Sequence, residues 1–301
     1  MAPQLARLFL LAAAGILAGV QAGSAAAQSS APTEVTVTAS REALAPRVLK
    51  FVNQIAVRQN DEGLPRWQDP VCPLITGLPR QEGEFTLGRI SQIATAAKVP
   101  LAGEHCRPNL FIFVTTQPTQ LLKAMENQKH GITFGDATPT VIDEFIKTQL
   151  PVRVWYSTMM RTPDGTPPNP GLPNAAQLVG GSSLGAPTFN DLDRTSHILL
   201  SKIWSLSYVI EVVDQARLQA VSRGQFADYV AMVGLADIKP GAHMGDAQTI
   251  LRLFDGEPQA APDGLSDWDQ AFLKALYATE QALKTQRGSI AKAIVRDVVQ
   301  K

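Results

Sequence analysis

Few residues in this chain have the type and spacing to do chemistry. Its four histidines, His105, His130, His197 and His243, stand far apart. No two of them share the i, i+4 spacing that puts a zinc pair on one helix face. Gly181-Ser182-Ser183-Leu184-Gly185 fits G-x-S-x-G and would make Ser183 a nucleophile, with Asp191, Asp193 and His197 nearby. That elbow needs a strand before it and a helix directly after it. Here the flanks are "NAAQLV" and Ala186-Pro187 inside a long Pro/Gly/Asn-rich stretch, so a flexible loop is the expectation. Neither a phosphate-cradling G-x-x-x-x-G-K-[ST] loop nor a dinucleotide fingerprint after a strand occurs.

The first 27 residues give Arg7, an apolar run from Leu8 to Val20, and small residues at Ala25 and Ala27. This is the pattern of a secretory signal peptide cleaved after about Ala27, and it predicts a periplasmic or secreted protein. No Cys follows the apolar run, and the next most apolar stretch, 197–213, carries Lys202 and Glu211. A later membrane span is therefore not expected. Cleavage leaves 26 basic against 27 acidic residues, a balance that disfavours nucleic acid or an anionic membrane surface as partner. Cys72 and Cys106, the two cysteines, are expected to pair in an oxidising compartment. Closing that loop constrains the unfolded chain by about 3–4 kcal/mol in the entropy model.

The elements that must position any site follow from periodicity. Residues 28–44 read as a polar tail with a short extended piece, followed by a helix starting at about Arg41 or Pro46. A short extended segment at "VCPLITGLP", a helix over 84–99 and a buried strand at "NLFIFVTT" come next. Helices at 118–128 and 138–149 precede the strand "PVRVWYSTMM". Residues 161–195 form a long irregular loop, and such loops carry function or mobility. In "SHILLSKIWSLSYVIEVVD", 196–214, Trp204, Leu206, Tyr208, Ile210 and Val212 alternate with smaller or polar residues, the period of a half-buried strand, with the preceding "SHILL" expected to pair beside it. The fold expectation is mixed α/β (α+β): one compact domain over 45–301, helices on a small mixed sheet, one disulfide.

The stretch "GQFADYVAMVGLAD", 224–237, places Phe226, Tyr229, Val230 and Val233 on one side of a helix, with Gly234 positioned to stop it. The same residues resemble the catalytic helix of metzincin zinc peptidases, H-E-x-x-H-x-x-G-x-x-H. Aligning the family glycine with Gly234 places Ala227 and Ala231 at the first two histidines, Asp237 at the third and Asp228 at the glutamate. Downstream, "LSDWDQAFLKALY" resembles the closing helix of matrixin-type domains, and Met244 lies where such families carry a methionine turn. The likeness spans about 197–280. The whole also resembles a secreted proteobacterial family, a likeness that carries no function.

Alanine has no lone pair, so the resemblance implies a peptidase-like scaffold without its zinc ligands. The expected function is a non-catalytic exported protein with a binding or envelope role, acting through the 161–195 loop or a groove beside Gln225, Asp228, Tyr229 and Asp237. No cofactor, metal or catalytic residue is expected, and the partner, whether envelope protein, peptide or small molecule, is left open. The alternative is an exported hydrolase that uses Ser183, or a zinc ion gathered by His197, His243 and Asp237.

Overall fold

The computed structural model describes residues 34–57, 63–127, 134–135, 137–161, 203–239, 241–255, 261–281 and 285–300. Among them the chain runs α1 (Glu34–Ile55), β1 (Arg66–Trp67), β2 (Pro73–Thr76), α2 (Arg80–Ala97), β3 (Leu110–Thr115), α3 (Pro118–Glu126) and α4 (Pro139–Lys147). It continues through β4 (Val152–Arg161), β5 (Ile203–Asp214), α5 (Arg223–Leu235), α6 (Asp267–Ala278) and α7 (Gln286–Val299). The 161–195 loop and "SHILL" lie outside the described residues apart from Arg161. No described helix is long and apolar enough to cross a membrane.

β5 is the axis of the sheet. β3 and the short β1 run parallel to it on one side, β2 continues parallel to β3, and β4 lies antiparallel on the other side. The β4–β5 register shifts once, between Ser157 and Thr158. With a neighbour on each side and helices on both faces, β5 buries Val209, Ile210, Glu211, Val212 and Val213 alike. The half-buried alternation expected from the sequence is thus replaced by burial of both faces, as befits a central strand.

One face presents Leu110, Ile112, Val114, Val152, Val154, Val209 and Val213 to a large core shared with α1, α2, α5, α6 and α7. The other face presents Ile210 and Val212 to a smaller core under α3 and α4, where Phe134, Phe145 and Trp155 meet edge to face. In the larger core Phe51 of α1 edges onto Trp268 and Phe272 of α6, with ring centroids 5.6 and 6.1 Å apart.

The N-terminal element differs from expectation. α1 begins at Glu34 and carries Pro46 in its interior, so much of the expected tail and its extended piece is helix. The β-branched residues of "EVTVT" suggest a strand, but no described strand pairs with them. The helix is anchored instead by Val48, Phe51, Val52 and Ile55, all fully buried. Pro46 costs the helix one backbone donor and crowds the Glu42 carbonyl a turn earlier, and the burial of those four residues offsets this.

Cys72 and Cys106 form the disulfide, with Cα atoms 6.0 Å apart and α2 between them in the chain. Asn109 reinforces the same corner: its Oδ1 accepts from the Cys72 N–H at 2.7 Å, and its Nδ2 donates to the Pro70 carbonyl at 3.0 Å.

Candidate functional site

α5 is buried on every side from Gln225 to Leu235, so the amphipathic helix expected from the sequence is instead a central one. Small side chains make this feasible. Ala227, Ala231 and Gly234 fall on one stripe of the helix, and a Cβ on Gly234 would stand 3.0 Å from Leu110 Cδ1 and Cδ2 of β3 and 2.6 Å from Glu211 Oε1 of β5. Gly234 is where the helix sits on the sheet.

At its N-terminal end the polar groups of α5 are partnered. Ser222 and Gln225 close a capping box: Ser222 Oγ accepts from the Gln225 N–H at 3.1 Å, and Gln225 Oε1 accepts from the Ser222 N–H at 3.2 Å. Gln225 Nε2 then donates to the Pro262 carbonyl at 3.0 Å. Asp228, 1% exposed, takes a forked pair from Arg89 of α2, Nε to Oδ1 at 2.5 Å and Nη2 to Oδ2 at 2.9 Å. It also accepts the Leu265 N–H at 2.7 Å. A Cβ on Gly264 would come within 2.6 Å of Asp228 Oδ2, so glycine there clears room for the carboxylate.

The C-terminal end is built differently. The last carbonyls of a helix lack intrahelical donors, and three aromatic side chains from elsewhere supply them. Tyr156 Oη of β4 donates to the Val233 carbonyl at 2.9 Å, Trp67 Nε1 to Gly234 at 2.9 Å, and Tyr277 Oη of α6 to Leu235 at 2.7 Å. Beneath this end lies Glu211, fully buried, with neither carboxylate oxygen hydrogen-bonded among the described residues. Burial pushes its carboxyl well above the usual carboxylate range. Tyr156 and Tyr229 are raised first by burial; Asp237 and Glu211 add to the shift at Tyr156, and Glu211 to that at Tyr229.

Beside this end opens a cavity of about 230 Å³. Val152, Val154 and Tyr156 of β4 form one wall, Tyr229 and Val233 of α5 another, and residues 238–239 and 241–244 with Phe254 complete it. Tyr229 packs edge-on against Phe254, ring centroids 4.8 Å apart. Among the described residues its hydroxyl has no hydrogen-bond partner. His243 and Asp255 pair at the cavity mouth, and Met244 is buried beside them. Glu211 pairs across the strands with Val154 and therefore rises from the same sheet face as the β4 wall.

Of the four expected groove residues, Tyr229 lines this cavity, Asp237 is buried close enough to act on Tyr156, and Gln225 and Asp228 are taken up by the architecture. Ser183, His130 and His197 lie outside the described residues. Ala227 and Ala231 are fully buried methyl groups and offer no donor to zinc. Among the described residues no three His, Cys, Asp or Glu side chains gather where they would hold a metal ion. Sequence reasoning missed Glu211 and Tyr156. The signal for Glu211 was a single acid inside the β-branched run "YVIEVV"; nothing local marked Tyr156. Comparison with protein-family models, curated proteins and solved structures finds no significant match for this chain.

Proposed function

We propose that this chain is an exported, non-catalytic binding protein, a metallopeptidase-like scaffold without zinc ligands, and that its ligand occupies the cavity between Tyr156 and Tyr229. The observation that carries the reading is the cavity itself: apolar side chains from β4 and α5 beside polar groups at its mouth, one tyrosine hydroxyl with no described partner, and a size near that of a single ring with substituents. The Cys72–Cys106 disulfide suits an oxidising compartment. The order β5, α5, the Met244 segment and α6 follows that of the peptidase resemblance, while Ala227 and Ala231 remove the chemistry. Envelope partners would be reached through the bound ligand or the surface around the cavity mouth.

The test is a thermal-shift screen of small aromatic and amphipathic compounds on the exported, disulfide-bonded protein. A ligand at one hundred times its Kd raises stability by about 2.7 kcal/mol, a readily measured rise in Tm. The rise is expected in the wild type and in Asp228→Asn, and absent in Val154→Trp, whose indole fills the cavity. A ligand whose effect survives Val154→Trp, or turnover of peptide or ester substrates, contradicts the proposal.

A further inference from the structure

We propose that Glu211 is a proton-operated control on the Tyr156–Tyr229 cavity: protonated, it lets the C-terminal end of α5 rest on the sheet and holds the cavity walls together; ionised, it lifts that end and loosens them. This rests on the cavity being the binding site.

The geometry carries the argument. Glu211 is fully buried, its two oxygens have no hydrogen-bond partner among the described residues, and Oε1 stands where a Cβ of residue 234 would be only 2.6 Å away. The ionisable groups that interact with it from the packed elements are acids, Tyr156 from β4 and Tyr229 from α5, and Asp237 from the segment after α5 acts in turn on Tyr156. β3 presents Leu110 and Ile112. The carbonyl end of a helix carries partial negative charge, and that is the end of α5 resting here. The apolar surroundings and the carbonyl end of the helix disfavour a carboxylate, both tyrosines are kept neutral by burial, and no cation is among these groups. The raised affinity of the carboxyl for its proton follows from the same burial.

The consequence for the cavity is direct, because the part of α5 above Glu211 supplies one of its walls. Val233 lines it and holds the Tyr156 hydroxyl through its carbonyl, and Tyr229 lines it one turn earlier. When this end lifts, Glu211 meets water and regains an ordinary carboxylate pKa near 4.3. Closed binds the proton and open releases it to solvent, so rising pH favours the open form. Between the open-state and closed-state pKa values, opening becomes about tenfold easier per pH unit.

Hydrogen exchange of the 229–239 amides, followed from pH 5 to 9 in the full disulfide-bonded protein, tests this. Comparing wild type with Glu211→Gln at each pH cancels the intrinsic pH dependence of exchange. The protection ratio, wild type over variant, is expected to fall about tenfold per pH unit above pH 5 and to level off where the closed form ionises. A ratio that stays constant overturns the proposal. Should Glu211→Gln fail to fold, Glu211→Leu serves as the non-ionising reference, and the protonated-carboxyl infrared band of the wild type reads the group directly; Glu211 already ionised at pH 6 overturns it too. The two readings fail separately. A constant ratio in a protein that still gains stability from a ligand blocked by Val154→Trp sinks the switch and leaves the site. A sloping ratio in a protein that binds no ligand sinks the control of a site and leaves the ionisation.

Discussion

At the N-terminal end of α5 the buried polar groups come in complete sets: Gln225 with Ser222 and Pro262, Asp228 with Arg89 and the Leu265 N–H. One to two turns further on, under the other end of the same helix, Glu211 is as deeply buried with no hydrogen-bond partner among the described residues, and the Tyr229 hydroxyl faces a cavity without one. A partnered buried charge stabilises or at least specifies the packing around it. An unpartnered one costs free energy of the order of 1–3 kcal/mol or more, and a buried group of that kind calls for an explanation beyond packing. The comparison therefore separates a fully partnered end from an unpartnered one within a single helix, and the proposed site lies at the second.

The largest expected effect breaks the partnered end. Asp228→Ala strands the Arg89 guanidinium and the Leu265 N–H together, and should lower stability by about 3 kcal/mol in urea denaturation, while leaving the affinity of any cavity ligand unchanged. A loss of ligand affinity in the folded variant would erase the division between the two ends.

The next effect shows what partnered burial still costs. Asp269 of α6 accepts from Thr249 Oγ1 at 2.5 Å, from the Ile250 and Ser266 N–H groups at 2.8 and 3.0 Å, and from Ser266 Oγ at 2.9 Å. Burial nevertheless outweighs these bonds and raises its carboxyl to about 6. A folded pKa above the unfolded value gives stability that is full below about pH 3.9 and is lost as pH rises through 6. The contribution lost across that window is roughly 3 kcal/mol, and denaturation midpoints should fall between pH 4 and 6 in the wild type but far less in Asp269→Asn.

Gly234→Ala sharpens the unpartnered end. The added methyl meets Glu211 Oε1 and the Leu110 methyls and should cost about 1–3 kcal/mol. Part of that cost should vanish when Glu211 is also shortened to Ala, read as a coupling in a double-mutant cycle. Additive single costs would place Glu211 away from the helix.

The smallest change in stability, under about 1 kcal/mol, is expected for Tyr229→Phe, since that hydroxyl has no described partner to lose. Its effect should appear instead as weaker ligand binding. An unchanged ligand affinity would mean that the hydroxyl is no handle.

Much of the fold was legible because it rests on local patterns. "NLFIFVTT" is apolar and β-branched between prolines and forms β3, and Pro118 and Pro139 open α3 and α4. The disulfide followed from compartment and cysteine count. The environment of α5 was not legible in the same way. A 3.6-residue pattern picks out Phe226, Tyr229, Val230 and Val233 as one apolar face, but Ala227 and Ala231 read as neutral until they are seen fully buried, and Gly234 until β3 and β5 are seen to leave no room for a side chain. Gln225 and Asp228 looked like surface or groove residues because their partners, Pro262, Arg89 and Leu265, are distant in sequence. Glu211 was hidden for a related reason: a lone acid in a strand reads as an outward-facing position, and β5 has no outward face.

Native mass spectrometry of the disulfide-bonded protein, purified without chelator or added metal, tests the central claim most directly. The account predicts a folded, disulfide-bonded chain whose mass shows no zinc, and in which any small molecule carried along is lost in Val154→Trp. One tightly held zinc ion per chain would contradict it and turn α5 back into the frame of a metal site.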